Sequence, residues 1–197
     1  MKNNMIIKLT SIMLVAGVLN GCAAMVVGGV AAGATTGAAV AADPRSGDGV
    51  FDDQSLRGKV KDTINAAVPG NNVEVTSYNK NILLTGQVIS PTNKVKAEDM
   101  TRQVAGVQKI YNYIEVGANE TASQSSKDAY LTSAVKSNMV FSKGVSTNDV
   151  KVVTSNGVVY LMGIIDPYQA KKTTKAAGEV DGVKKVVTLF DYVSEDK

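Results

Sequence analysis

The sequence has no histidine and no tryptophan, one cysteine, four prolines and three phenylalanines in 197 residues. Without histidine there is no imidazole acid or base, no Ser-His-Asp triad and no Cys/His zinc site. One cysteine cannot close an intrachain disulfide, so in an exported chain it asks for another use. Oxygen-only metal sites and Ser-Lys chemistry stay open in principle, but no segment has their spacing, and neither cofactor nor metal is expected. An excess of charge of one sign is missing too. The formal charge is +3, with nine basic against ten acidic residues over 22–125 and ten against eight over 126–197. Nucleic-acid binding needs a strong basic field and is not expected.

What is present starts with Cys22 and its surroundings. Lys2 and Lys8 precede the apolar run Leu9 to Leu19, a positive n-region and short h-region of secretory type. The run is shorter than the roughly 20 apolar residues that cross a bilayer. Leu19-Asn20-Gly21-Cys22 resembles the bacterial lipobox, in which the thiol takes a diacylglyceryl group, the signal is cut before it and the new amine is acylated. That resemblance implies a signal peptide over residues 1–21 and an acylated Cys22 as the first mature residue. The alternative is an ordinary secreted protein with a buried thiol. Ala23 stands where an aspartate typically holds Gram-negative lipoproteins at the inner membrane, which favours the outer membrane. Two lipid signals already anchor a protein stably, at about 0.8 kcal/mol per buried methylene, so three palmitate-type chains would be effectively permanent.

Residues 23–42 are almost wholly Ala, Gly, Val and Thr, with Gly29, Gly33 and Gly37 at spacing four. That spacing suits either a close-packed transmembrane helix pair or a weakly apolar tether, and the small transfer energy of Ala and Gly favours the tether. Asp43-Pro44-Arg45-Ser46-Gly47-Asp48-Gly49 reads as a turn-rich linker, making residues 22–51 a lipid-anchored, flexible segment.

An internal repeat follows. Val73, Val75, Ile82, Leu84, Gly86 and Val88 match Val150, Val152, Val159, Leu161, Gly163 and Ile165 at a constant offset of 77. Val104, Gly106, Val107, Lys109 and Ile110 match Val180, Gly182, Val183, Lys185 and Val186 at 76, and Leu56, Val60 and Ile64 match Leu131, Val135 and Met139 at 75. Each copy reads as helix, strand, strand, helix, strand. Apolar residues every four positions mark the first helix, and alternation marks the strands. Ser155-Asn156-Gly157 is a hairpin signal. Ser90-Pro91 and Asp166-Pro167 each supply an oxygen-bearing N-cap before a proline, and Gly106 and Gly182 are expected as left-handed C-caps of the second helices.

Gly86 and Gly163 hold one place inside the second strand, which predicts a bulge or a helix lying close on the sheet there, or else a ligand loop. Ile82, Leu84 and Val88 are expected to face the helices. Thr76, Thr85 and Gln87 line the opposite face of the first copy and Val153, Met162 and Ile164 that of the second. An apolar back wants a cover, so the two copies are expected to pack there against each other.

The order of elements, the glycine-bearing strands and the Gly106-Val107 and Gly182-Val183 segments together resemble the BON domain, a small αββαβ module. With the signal and lipobox they resemble dual-BON outer-membrane lipoproteins over nearly the whole chain. The fold class expected is α+β, two tandem αββαβ domains over residues 52–118 and 126–194. Each is a three-stranded mixed sheet packed against two helices. The resemblance implies a non-enzymatic protein facing the periplasm that binds anionic, phosphatidylglycerol-like phospholipid through the first helix of the second copy, gathers at division sites and supports envelope integrity.

In this chain that helix is expected from about Ser126 to Phe141, with Leu131, Ala134, Val135 and Met139 as its core stripe. Tyr130 and Phe141, eleven residues and so about three turns apart, share an outer face with Ser133 and Ser137. Lys127, Lys136 and Lys143 stand around it. A ring with basic neighbours suits a phospholipid interface; the competing expectation is that Tyr130 packs on the first domain. Ser55 holds the equivalent place in the first copy, so the fold does not demand an aromatic there. A different reading of the whole is a periplasmic adaptor that docks an envelope protein. Glu98, Asp99, Glu179 and Asp181 are expected to solvate helix surfaces.

Overall fold

The structure is a computed structural model that describes residues 47–192. The expected signal peptide, Cys22, the Ala/Gly-rich tether and residues 193–197 lie outside the described residues. The first domain comprises α1 (Gly47–Ala67), β1 (Asn72–Tyr78), β2 (Asn81–Val88), α2 (Pro91–Arg102), β3 (Lys109–Asn112) and β4 (Glu115–Val116). The second comprises α3 (Ala122–Phe141), β5 (Val150–Ser155), β6 (Val158–Ile165), α4 (Pro167–Gly178) and β7 (Lys185–Tyr192). The result is α+β. In each sheet an antiparallel hairpin, β1-β2 or β5-β6, takes its third strand in parallel. α1 already includes Gly47, Asp48 and Gly49, which turn propensity alone assigns to the linker.

The apolar stripes do as expected. Leu56, Val60 and Ile64 pack with Val73, Val75, Ile82, Leu84, Val88 and Ala97. Val135 and Met139 pack with Val150, Val152, Val159, Leu161, Ile165 and the alanines of α4. Each such Val, Leu or Ile contributes about 1.5–3 kcal/mol by leaving water. Ser90 Oγ accepts from Asn93 N, and the Asp166 carboxylate accepts from Tyr168 N and Gln169 N, so both proline-start N-caps form. The C-terminal ends differ from expectation. α2 and α4 close at Gln103 and Glu179 in right-handed conformation. Gly106 and Gly182, at φ +98° and +93°, stand at the third position of a further turn, Val107 N to Val104 O and Val183 N to Val180 O, which redirects the chain into the last strand.

Both hairpins turn on two residues with positive φ, Asn79 and Lys80 (51°, 62°) and Asn156 and Gly157 (53°, 79°), the geometry of a type I′ turn. A buried aspartate on the domain's first helix holds each turn. Asp53 accepts from Asn79 N at 2.6 Å, Lys80 N at 2.8 Å and Ser77 Oγ at 2.6 Å. Asp128, its repeat equivalent, accepts from Asn156 N at 2.6 Å and Gly157 N at 2.8 Å.

The recurring glycine is a close approach to the neighbouring strand rather than to a helix. A Cβ on Gly86 would stand 2.0 Å from the Asn72 carbonyl oxygen, and one on Gly163 2.6 Å from that of Asp149. Gly86 also has φ +90°, whereas Gly163 does not have a positive φ. That difference carries into the third strand. β7 pairs with β6 without a gap from Lys185 to Tyr192, while the pairing with β2 is interrupted at Tyr113 and Ile114, opposite Thr85 and Gly86, and resumes in register.

The sheet backs do meet. Tyr78 and Leu83 of the first domain and Tyr160, Met162 and Leu189 of the second form one buried cluster, with Val153 and Ile164 at its border. Tyr113 tilts against Tyr160 at 4.9 Å between ring centres. The Tyr160 phenol is pushed up to about 12 by burial, then by Glu115 and Tyr113, so it stays neutral. The contact has a pseudo-two-fold character: Asn79 Nδ2 donates to Asp191 at 3.4 Å and Asn156 Nδ2 to Glu115 at 2.8 Å, the same two repeat positions used reciprocally.

Asp191 also receives Asn81 Nδ2 at 2.7 Å and Lys109 Nζ at 2.6 Å. Burial pushes the Asp191 carboxyl up, but the hydrogen bonds from Lys109 and Asn81 and the lysine charge together outweigh it and hold the group below its ordinary 3.8. The same hydrogen bond and charge raise Lys109 above 10.5. A depressed acid contributes stability above its unfolded pKa and loses it as pH falls through the folded value; a raised base contributes below its unfolded pKa and loses it as pH rises. The clasp is therefore expected to stabilise the domain pair between about pH 4 and pH 10.5 and to fade on either side. Thermal melts of the protein and of Asp191→Asn across that range check this, and a stability difference that persists unchanged below pH 3 contradicts it.

β1 is the terminal strand of its sheet. Its carbonyls at Val73, Val75 and Ser77 accept from Lys61 Nζ, Arg57 Nε (2.9 Å) and Lys151 Nζ (3.2 Å) respectively.

Candidate functional site

α3 is entered through Thr121, whose hydroxyl accepts from Gln124 N. It starts four residues before the expected Ser126 and ends at Phe141. Leu131, Val135 and Met139 turn into the core with Asp128, while Ala134 is only half-buried. At 100° per residue the opposite side carries Ser126, Ala129, Tyr130, Ser133, Ser137, Val140 and Phe141. Tyr130 is 70% exposed, Val140 62% and Phe141 82%. Tyr130 therefore does not pack on the first domain. Ser133 Oγ donates to its own helix at Ala129 O and Ser126 Oγ to Ala122 O, which leaves the middle of the face small and low.

Tyr130 and Phe141 stand about 16 Å apart along the axis, with Ser133 and Ser137 between them. Lys127 and Lys136 are exposed on the two flanks, and Lys143 is exposed just past the helix end. The structure thus brings Tyr130, Ser133, Ser137 and Phe141 to one exposed helix side and leaves Lys127 and Lys136 exposed on its opposite flanks. Val140 was missed because the stripe was traced through the rings and serines alone. Tyr168, 64% exposed beside the end of α3, has no signal in the sequence, because Asp166-Pro167 announces only a helix start.

A second candidate is a crevice of about 340 Å³ where the domains meet, lined by Arg57, Glu74, Thr85, Glu120, Lys151 and Thr154 among others. Burial pushes the Glu120 carboxyl up, then the Asp128 carboxylate through hydrogen bonding and charge, then Glu115. Its cationic groups are engaged with the β1 edge, Arg57 on Val75 O and Lys151 on Ser77 O. Glu98 and Asp99 pair with Arg102, and Glu179 lies 3.6 Å from Lys175, as surface charges. Among the described residues no group of three or more His, Cys, Asp or Glu is placed to hold a metal, and no helix is long and apolar enough to cross a membrane.

The BON domain profile matches residues 52–118 and 127–194. The chain belongs to the BON family. It is 38% identical over 178 residues to the outer membrane lipoprotein DolP of Haemophilus influenzae, covering 89% of this chain and 90% of that one. It is 33% identical over 154 residues to a 21 kDa hemolysin of Actinobacillus pleuropneumoniae, covering 77% and 79%, and 28% identical over 141 residues to osmotically-inducible protein Y of Escherichia coli, covering 69% and 70%. Two BON domains and the extent of the first of these likenesses make this a dual-BON protein of the DolP type.

Proposed function

We propose that this BON protein is a non-enzymatic outer-membrane lipoprotein, held by an acylated Cys22 and facing the periplasm, which binds anionic phospholipid through the outer side of α3 and supports envelope integrity at division sites. The outer-membrane location accords with the DolP-type likeness. The observation that carries the binding reading is the solvent-facing series Tyr130, Val140 and Phe141 with lysines on its flanks and serines between. An aromatic ring settles at headgroup depth, and each lysine near an anionic surface contributes on the order of 1 kcal/mol. Three lysines and two rings give weak binding alone. The acyl chains supply attachment, and tethering raises the effective concentration towards millimolar, so the helix selects which lipid patch is occupied.

The mature polypeptide with Cys22→Ser, which has no acyl chains, isolates this contact. Tyr130→Glu is expected to weaken its binding to phosphatidylglycerol vesicles tenfold or more, since it removes a ring and adds a repelled charge; Lys136→Ala is expected to weaken it about fivefold. Co-sedimentation at low salt measures both. Unchanged binding in Tyr130→Glu favours the adaptor reading instead. For that reading the first domain offers Val95, exposed in a groove it lines with Pro91, Lys96 and Met100, and the exposed Ile89 just before that helix.

A further inference from the structure

The back of the second sheet is taken up by the first domain, so both helices of the second domain lie together on the sheet's other face. Val135 and Met139 of α3 and Ala170, Ala176 and Ala177 of α4 share one core with Val152, Val159 and Leu161. The helices run antiparallel: Asn138 Nδ2 donates to Ala176 O at 2.8 Å, and Gly144, just beyond α3, lies against the ring of Tyr168 in the first turn of α4. Packed helices sit about 8–10 Å apart, so the outward sides of α3 and α4 form one layer, and Tyr168 stands beside the Phe141 end of it.

That second outward side is basic. α4 carries Lys171, Lys172 and Lys175 and no acid within its own span, Glu179 following at its C-cap. Lys171 and Lys175 are exposed, and Lys172 Nζ lies 5.2 Å from the centre of the Tyr168 ring. The fold does not require this. The equivalent positions on α2 are Thr92, Val95, Lys96 and Asp99, which hold no ring and one lysine in place of three, and α2 sets Glu98 and Asp99 against its Lys94, Lys96 and Arg102.

We propose that α4 is a second lipid-contacting element, with Tyr168 at headgroup depth and Lys171, Lys172 and Lys175 on the phosphates of an anionic bilayer, so that the domain lies on the membrane by a two-helix plane rather than along α3 alone. This rests on the reading of α3 given above, and charge complementarity is what selects a bilayer as the occupant. The ring supplies the apolar part of the contact, and the cation held over it is placed to reach a phosphate without leaving the ring.

The absence of tryptophan makes the test direct. Tyr130→Trp, Tyr168→Trp and, as the equivalent of Tyr168 in the first domain, Thr92→Trp each give a single reporter in the Cys22→Ser mature chain. On phosphatidylglycerol vesicles containing brominated lipid, Tyr130→Trp and Tyr168→Trp are both expected to shift to the blue and be quenched, with Thr92→Trp unmoved. Lys171→Ala, Lys172→Ala and Lys175→Ala are each expected to weaken vesicle binding about fivefold. A response at Tyr130→Trp with none at Tyr168→Trp overturns the two-helix contact and leaves the α3 reading standing. No response at either position overturns both. An equal response at Thr92→Trp means indiscriminate adsorption and overturns the proposal as well.

Discussion

Gly86→Ala is expected to destabilise the first domain by about 4 kcal/mol, the sum of left-handed strain and overlap of a new methyl with fixed backbone. The methyl carbon would stand 2.0 Å from the Asn72 carbonyl oxygen and 3.1 Å from its carbon, and φ is +90°. Both obstacles are main chain, so no side chain can swing aside to accommodate it. Gly163→Ala meets only the overlap, at 2.6 Å from the Asp149 oxygen, and is expected to cost about half as much. Gly58 is the control. It lies exposed within α1 with nothing within 4 Å of a new Cβ, and Gly58→Ala is expected to stabilise by about 1 kcal/mol through helix propensity. Urea unfolding of the three variants tests the opposition in sign. A Gly86→Ala midpoint at or above that of the parent protein contradicts the close-approach account.

The second large effect belongs to the paired aspartates. Asp53→Ala leaves the amides of Asn79 and Lys80 and the hydroxyl of Ser77 without their acceptor, and Asp128→Ala does the same to Asn156 and Gly157. A buried donor left unmade costs about 1–3 kcal/mol, so each variant is expected to lose about 3 kcal/mol and to loosen its own hairpin first. Hydrogen exchange at those turn amides reads this directly. Exchange at Asn79 and Lys80 unchanged in Asp53→Ala would show that the carboxylate is not what holds the turn.

Those aspartates mark where the sequence could be read and where it could not. The repeat was legible because core residues recur at nearly constant offsets, and the Ser90-Pro91 and Asp166-Pro167 starts were legible because a cap and a proline act within one turn. Asn156-Gly157 announced its hairpin. Asn79-Lys80 makes the same turn but carries a lysine at φ 62°, which no local preference signals; Asp53 supplies the stabilisation from another element. Asp53 and Asp128 were missed because the helical stripe was traced through apolar residues. The glycines Gly106 and Gly182 do take positive φ, but in a separate turn that follows helices already closed at Gln103 and Glu179. The back-face contact was expected from Val153, Met162 and Ile164, whereas Tyr78, Leu83 and Tyr160 join it through a register that only pairing fixes.

The outer side of α3 was readable from spacing because one helix generates it. Tyr168 joins the neighbourhood through the antiparallel packing of α4, a relation between segments some thirty residues apart in the chain. Local periodicity carries no trace of such a relation.

The carbonyls of Val73, Val75 and Ser77, each occupied by a cationic side chain, have a consequence for a molecule confined to a leaflet. Proteins tethered in two dimensions collide far more often than the same number free in solution, and a bare strand edge would let them zip together into fibrils. With that row of acceptors already taken, the β1 edge gives a neighbouring copy's strand little to pair with, however often two copies meet.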